Sequence, residues 1–321
     1  MTMEEGSRLE IAVQLLQQHR HLFLQTELSA LRLSKLVPLS ARSTGEKKVV
    51  LEALINECGL EAMALLESAG DHLLEQVGER ILAERESEVW LNRCSRCGGL
   101  ARTGVAQQCR FCGHSWHDTP RFDWYVEQAT LNAAKCGDRV VAGHIEGLGL
   151  LVCIADGAGN SDAGKDAADL IVTRARAKPW SAETNEWDLQ EFLFSCDEAI
   201  LTIGAESTAL VMAFRRNDVC AAAAGDTLLF GQAHGSSWHF PKPRTRRRLG
   251  SGNPDVVVCR RPFEGATAAA TDGAVACLGI REIGVHLAKG MQPDWLAQRL
   301  QSRVADVGDD SSAIVVRKLD R

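Results

Sequence analysis

The amino-acid sequence predicts an α+β protein in three parts: a helical region, a small four-cysteine ribbon, and a larger domain that mixes strands with helices. Apolar residues recur at helical spacing through residues 1–89. Residues 90–120 lose that period and contain two closely spaced cysteine pairs. From residue 121 to 321, strand-like runs alternate with amphipathic segments, a pattern typical of a layered fold that contains β-sheets.

Composition narrows the class of protein. The 321 residues suffice for about two domains, and 45% hydrophobic and 24% charged residues are typical of a globular chain. The formal net charge of -6 argues against a general nucleic-acid binder. No apolar run approaches the roughly twenty residues that span a bilayer, and the acidic start is unlike a secretory signal. We therefore expect a cytoplasmic protein without a membrane partner.

The region 1–89 predicts two helical runs. Val37-Pro38 is expected to break the first run, and the polar segment Ser40–Lys48 to connect it to the second. The second run, Val49–Glu86, has Gly59 and Ala69–Asp71 as expected interruptions. A small helical bundle is the simplest interpretation, and a module that docks a protein partner or dimerises stays open.

Two CxxC pairs define the ribbon of residues 90–120, and they comprise Cys94, Cys97, Cys109 and Cys112. Each pair is followed by a glycine, Gly98 or Gly113, which tolerates a left-handed backbone. Two such turns complete a tetrahedral site, so we predict one structural Zn²⁺ with no open position. A redox CxxC is the alternative, but two copies this close fit a ribbon better. His114 and His117 are interpreted as ribbon surface, and the seven other cysteines as small buried thiols.

The ribbon is also rich in arginine. Residues 92–117 contain four arginines and no acidic residue, but a zinc ion with four thiolates carries a charge of about -2. The remaining excess is a modest positive patch. We interpret it as a solvated face in preference to a contact with RNA or an acidic protein.

The larger domain places aspartates at the ends of predicted strands. The apolar run Leu150–Ala155 ends in Asp156-Gly157, and Thr267–Thr271 ends in Asp272-Gly273. Asp309-Asp310 opens the last strand, and Asp138 opens the first. Rigid strand ends hold carboxylates in place, and hard cations such as Mg²⁺ and Mn²⁺ favour carboxylate oxygens. The other strand patterns are Arg139–Ile145, Thr208–Phe214, Asp218–Ala224, Val256–Arg260 and Ala313–Arg317, and the helix patterns are Ala163–Arg176, Leu189–Ile203 and Pro293–Arg303.

These motifs resemble those of the metal-dependent protein phosphatases of the protein phosphatase 2C type, in order and approximate spacing from Asp138 to Arg317. The matching elements are Asp156–Gly159 with Gly164 and Ala167, Ser207–Ala209, Ala224–Thr227, Leu249-Gly250, Ala270–Gly273 and Asp309–Val316. The resemblance implies an α-β-β-α sandwich over residues 121–321 with a two-ion Mn²⁺ or Mg²⁺ site. Asp156 would bridge both ions with the Gly157 carbonyl as a further ligand, and Asp272 and Asp309 would hold the first ion.

The chain departs from the family pattern in three places. Asp138 stands in a Gly-Asp version of the first motif, and no arginine lies five residues before it; Lys135 and Arg139 are the nearest cations. Ala158 replaces a histidine that acts as a general acid in some members. Ala276 replaces an acidic residue that helps to bind a third ion, which weakens such a role for Asp226.

The predicted activity is hydrolysis of phosphoserine and phosphothreonine in proteins by a hydroxide that bridges two cations. The implied partners are a phosphorylated protein and a cognate serine/threonine kinase. The alternative is a pseudophosphatase, the same fold used as a regulatory binding module. The basic run Lys242–Arg248 is interpreted as a solvated loop, with a substrate-facing loop as its alternative.

Overall fold

The computed structural model describes residues 5–130, 136–159, 161–242 and 247–319. The chain divides into two compact units, Met1–Glu86 and Ser87–Arg321. The ribbon thus belongs to the same unit as the larger domain. Within the described residues, no helix is both long and apolar enough to cross a membrane.

The first unit is helical, as predicted, and its described helices are α1 Glu5–Gln18, α2 Gln25–Ala41, α3 Gly45–Glu57, α4 Leu60–Ala69 and α5 Leu73–Arg85. Leu15, Leu33 and Ile81 are fully buried in its core. The expected interruptions at Gly59 and Gly70 are confirmed, because both glycines have positive φ between helices.

The prediction that Val37-Pro38 breaks the first run is wrong. Pro38 lies within α2, one turn before the helix ends at Ala41. Near a helix end, a proline removes only one backbone hydrogen bond, and the remaining turn can close around it. The connector predicted at Ser40–Lys48 is likewise wrong, since only residues 42–44 separate α2 from α3.

The second unit contains ten described strands in two antiparallel sheets. One sheet has the order β1-β10-β9-β6-β7 and the other β2-β3-β4-β5-β8. The strands are β1 Phe122–Ala129, β2 Asp138–Ile145, β3 Gly149–Gly157, β4 Ser207–Phe214, β5 Asp218–Ala224, β6 Leu228–Ala233, β7 Ser236–Phe240, β8 Val257–Pro262, β9 Ala266–Ala270 and β10 Ser311–Lys318. The helices are α6 Asp162–Ala177, α7 Glu186–Thr202, α8 Asp272–Leu278, α9 Ile280–Ala288 and α10 Pro293–Val307.

The two sheets pack face to face with helices on both outer sides. Even-numbered residues of β3, such as Val152, meet the other sheet, whereas odd-numbered ones, such as Cys153, meet α6 and α7. Helices α8 to α10 cover the outer face of the β1-β10-β9-β6-β7 sheet. Because central strands are buried on both faces, they appear in the sequence as nearly continuous apolar runs. The α-β-β-α sandwich is confirmed.

The cysteines outside the ribbon differ in burial. Cys136, Cys153, Cys196, Cys220 and Cys277 are buried thiols, as expected. The expectation is wrong for Cys58 and Cys259, which are only half-buried. Cys259 lies on β8, an edge strand of its sheet, where one side of the strand has no neighbour to cover it.

Candidate metal centres

Strand register brings the first two predicted aspartates together. Asp138 at the start of β2 lies directly opposite Asp156 near the end of β3, and Asp156 lies opposite Thr208 on β4. Directly opposed residues have Cβ atoms about 4.5–5.5 Å apart on one face of a sheet. This face is the one that meets the second sheet. Two carboxylates in such a position repel each other unless a cation lies between or beside them.

The end of β3 is packed closely against the start of α6. A Cβ atom at Gly157 would lie 2.1 Å from the carbonyl oxygen of Gly164. Ser161 caps α6 by accepting a hydrogen bond from the Gly164 amide at 3.1 Å. Glycine is therefore required at this junction, which fixes the backbone next to Asp156.

The second sheet supplies the other predicted ligands at the same edge. Asp272 lies two residues after the end of β9 as the first residue of α8, and Asp309 lies two residues before the start of β10. A Cβ atom at Gly273 would lie 2.0 Å from the carbonyl oxygen of Asp310, so only glycine lets α8 begin here. A cleft of about 120 Å³ results, lined by Asp156, Gly157, Ala158, Gly159, Arg248, Asp272, Asp309 and Asp310.

Asp138 lies at the buried base of this edge. Its Oδ2 accepts a hydrogen bond from the Thr271 hydroxyl at 3.1 Å, while its Oδ1 is buried and has no hydrogen-bond partner among the described residues. Burial, assisted by the charge of Asp310, raises the pKa of Asp138 to about 7. A buried carboxylate oxygen without a donor destabilises the fold unless a cation or another donor contacts it.

Asp156 shows the same electrostatic conflict. Burial and then the charges of Asp138, Asp272 and Asp309 raise its pKa to about 10. Without cations, the cluster therefore retains protons at neutral pH. Divalent cations would let these carboxylates ionise, so the donor set fits one or more hard metal ions.

Asp310 has a role that sequence reasoning missed. Its carboxylate accepts hydrogen bonds from the Gly137 amide at 2.9 Å and from the Thr130 hydroxyl. It thus ties the entrance of β10 to the segment that precedes Asp138. The carboxylate of Asp309 accepts the Asp310 amide at 2.9 Å, and burial, then Asp272, raises the pKa of Asp309. Two adjacent aspartates in a sequence carry no signal that separates these roles.

Asp226 lies at the margin of the cluster. Gly225 has φ +91°, and a Cβ atom there would lie 2.6 Å from the Thr208 side chain. Oδ1 of Asp226 is buried without a partner in the described structure, and burial, then the charge of Asp272, raises the pKa of Asp226. The alanine at position 276 weakens a third-ion role for Asp226, and the structure places Asp226 in the electrostatic field of Asp272.

Of the two cations named beside Asp138, only Arg139 is described, and its side chain does not line the cleft. Arg139 is 3% exposed and points away from Asp138, toward Asp169 at 2.8 Å and Glu88 at 3.7 Å. It also donates to the carbonyl oxygens of Cys136 and Asp138. Lys135 and residues 243–246 of the basic run lie outside the described residues.

The four ribbon cysteines converge. Their sulfur atoms all lie within 4.8 Å of one another, with Cys97 3.5 Å from Cys109 and Cys94 3.7 Å from Cys112. Zinc–sulfur bonds of about 2.3 Å in a tetrahedron imply sulfur separations of about 3.8 Å. The quartet therefore fits a zinc ion. His114 is bonded instead to Glu146 at 3.0 Å, in the turn between β2 and β3.

Comparisons with known proteins support the fold. No protein-family model and no curated protein sequence matches the chain. A solved structure described as "PppA, a key regulatory component of T6SS in Pseudomonas aeruginosa" is similar with a TM-score of 0.53 at 18% identity, covering 63% of this chain and 99% of that one.

Two further structures have a TM-score of 0.51 at 16% identity. One is the catalytic domain of the serine/threonine phosphatase PstP in complex with two manganese ions, covering 62% of this chain and 99% of that one. The other is the S. agalactiae serine/threonine phosphatase, covering 61% of this chain and 100% of that one. The likeness establishes the fold of these phosphatases and leaves more than a third of this chain outside it.

Proposed function

We propose that the sandwich domain, which has the fold of metal-dependent serine/threonine phosphatases, hydrolyses phosphoserine and phosphothreonine in proteins. The proposal rests on one observation. Carboxylates from both sheets, those of Asp138, Asp156, Asp272 and Asp309, meet at one edge, where an Asp138 oxygen is buried without a partner. Such a cluster is stable in its ionised form only with cations.

Two Mn²⁺ or Mg²⁺ ions suit these oxygen ligands. Asp156 would be shared by both ions with the Gly157 carbonyl as a further ligand, Asp272 and Asp309 would hold the first ion, and Asp138 would complete the set. Two such ions, when bound, supply an activated water and neutralise charge on the phosphoryl oxygens. PstP, one of the structural neighbours, was solved with two manganese ions.

The protein's own contribution is to hold these groups rigidly. Thr271 orients Asp138 through its hydroxyl, and Asp310 fixes the segment before β2. Since the ligands lie on strand ends and helix starts, substrate binding need not reorganise them. A cysteine nucleophile does not fit the site, because burial raises the pKa of Cys136, a thiol close to Asp138, to about 12.

The substrate and the partners are also part of the proposal. The open cleft would take a phosphorylated side chain, so we propose a phosphoprotein substrate and a cognate serine/threonine kinase. The helical unit would bind a protein partner, and thiolate zinc suits the reducing cytoplasm. A regulatory module without activity is the alternative, supported by the orientation of Arg139, which turns its guanidinium away from the cleft.

Hydrolysis of p-nitrophenyl phosphate and of a phosphothreonine peptide over a Mn²⁺ titration tests the proposal. The wild-type protein should be active only with added metal, and Asp272→Asn should remove activity without unfolding the protein. Asp306→Asn, on the exposed side of α10, is the matched control and should behave as wild type. Mn²⁺ binding without hydrolysis of either substrate would favour the regulatory module.

A further inference from the structure

Arg248 lies on a firmly anchored segment between β7 and β8. The next residue, Leu249, exchanges two backbone hydrogen bonds with Ser207 at 3.0 and 3.1 Å, beside the end of β3. The Ser251 hydroxyl donates to the carbonyl oxygen of Arg248 at 2.8 Å. On the other side, the Arg247 carbonyl oxygen accepts a hydrogen bond from the Asp255 amide at 3.2 Å, so the backbone that carries Arg248 is held on both sides.

Gly250 explains why the chain turns here. Its amide donates to the carboxylate of the buried Asp197 at 2.6 Å. Its φ is +89°, and a Cβ atom would lie 2.0 Å from the carbonyl oxygen of Ala205. No other residue fits this position, so the direction in which Arg248 leaves the turn is fixed by the fold.

The side chain of Arg248 lines the carboxylate cleft together with Asp156, Asp272 and Asp309. Burial raises the pKa of Asp226 and of Asp309, and the positive charge of Arg248 opposes part of that effect. Even so, in the part of the chain that the structure describes, Arg248 forms no ion pair with any carboxylate.

The neighbouring arginine behaves differently. Arg247 is exposed and pairs with Asp255 at 3.2 Å, which satisfies its charge outside the cleft. The two residues are neighbours in the chain and carry the same charge, but of the two only Arg248 lines the proposed reaction site. Among the described residues of the basic run, Arg248 therefore lies at the cleft and Arg247 beside it.

We propose that Arg248 binds the phosphoryl group of the substrate, in place of the arginine that is missing before Asp138. The inference rests on the proposed function. Two divalent ions balance the four predicted carboxylate ligands, so an incoming phosphate monoester needs a further positive group. A guanidinium offers two parallel N–H donors that match two phosphoryl oxygens, and Arg248 is the cation that lines the described cleft.

Binding of inorganic phosphate to the full-length protein loaded with Mn²⁺, measured by calorimetry, tests the role without catalysis. Arg248→Gln should raise the phosphate Kd roughly 10- to 100-fold, the effect of losing a charge-assisted contact. Arg248→Lys keeps the positive charge but loses the two parallel N–H donors, so its phosphate Kd should lie between those of the wild type and Arg248→Gln. Arg247→Gln is the control and should keep the wild-type Kd. The Mn²⁺ affinity of Arg248→Gln should equal or exceed that of wild type, since a nearby positive charge is removed.

An unchanged phosphate Kd in Arg248→Gln overturns the inference. If the same variant also binds Mn²⁺ more tightly than the wild type, Arg248 acts instead as a counter-charge for the carboxylates. Equal losses in Arg248→Gln and Arg247→Gln overturn it too, because they indicate a general attraction by the basic run. These results are separate from the proposed function. If the wild type hydrolyses phosphopeptide with Mn²⁺ while Arg248→Gln binds phosphate normally, only the present inference fails.

Discussion

Replacing Asp138 by asparagine should stabilise the protein in the absence of Mn²⁺ and Mg²⁺. The side chain is fully buried, faces Asp156 across two strands and leaves one oxygen without a donor. Asparagine keeps the shape and the acceptor for Thr271 but carries no charge. The substitution thus removes a charge that the metal-free fold accommodates poorly.

The magnitude follows from the pKa of Asp138, which burial raises from its ordinary value of 3.8 to about 7. Because the folded pKa exceeds the unfolded one, the associated stability is complete below about pH 4 and is lost as the pH rises to about 7. One pKa unit corresponds to about 1.4 kcal/mol. The loss is therefore about 4 kcal/mol at pH 8 and about 2 kcal/mol or less at pH 5.

Thermal unfolding followed by tryptophan fluorescence provides the assay. All seven tryptophans lie in Ser87–Arg321, so the signal reports this unit alone. At pH 8, Asp138→Asn should raise the Tm by roughly 8–16 °C for a unit of this size, and by much less at pH 5. Asp306→Asn, an exposed carboxylate on α10, is the control for the loss of one charge.

Added Mn²⁺ should make the wild type more stable than Asp138→Asn, the reverse of their order without metal. A ligand that binds only the folded state stabilises it more the tighter it binds, so the wild type should gain more stability than Asp138→Asn. If the wild type and Asp138→Asn lose stability in parallel between pH 5 and pH 8, Asp138 does not carry the charge conflict, and its assignment as a ligand loses its physical basis.

Three further predictions concern neighbouring groups. Asp309→Ala should lower kcat far more than Asp310→Ala. Asp310→Ala should instead cost about 1–3 kcal/mol of unfolding free energy, because the buried Gly137 amide would lose its acceptor. A Mn²⁺ titration with kinetics and urea unfolding separates the two, and an inactive Asp310→Ala would exchange their roles. Protein purified under reducing conditions should contain one zinc by elemental analysis, and Cys109→Ser should lose it; a zinc-free wild type contradicts the ribbon. Arg139→Met should destabilise the second unit by about 3–5 kcal/mol, because the buried carboxylate of Glu88 would lose the positive charge beside it; an unchanged urea midpoint would refute this.

The sequence predicted central elements of the sandwich better than edge elements. Each of the seven strand patterns and three helix patterns has a counterpart in the structure, since buried strands and amphipathic helices have strong periodicity. β7 was missed because it is an edge strand with mostly exposed side chains. α8 is short and begins with Asp272-Gly273, which looks like a turn. β1 was not among the predicted strands, although its alternation between buried and more exposed residues made it detectable from its sequence.

The candidate site shows a similar division. Asp138, Asp156, Asp272 and Asp309 were predicted from motif order, and the structure gathers them at one edge of the sandwich. The parts played by Asp310 and Thr271 were not predictable, because each depends on contacts between segments far apart in sequence. Spacing within one motif contains no information on which partner lies across the two sheets.

The topology explains why this edge can hold charge at all. β2 begins and β3 ends at the same edge because the two strands are antiparallel, and β9 ends and β10 begins at that edge of the other sheet. The apolar core between the sheets therefore stops where Thr271 of one sheet donates to Asp138 of the other. Cations bound there would contact carboxylates from both sheets. The affinity for metal should therefore depend on how tightly the two sheets pack against each other. A substitution that loosens the inter-sheet core near Ile154 should then weaken Mn²⁺ binding without touching a ligand.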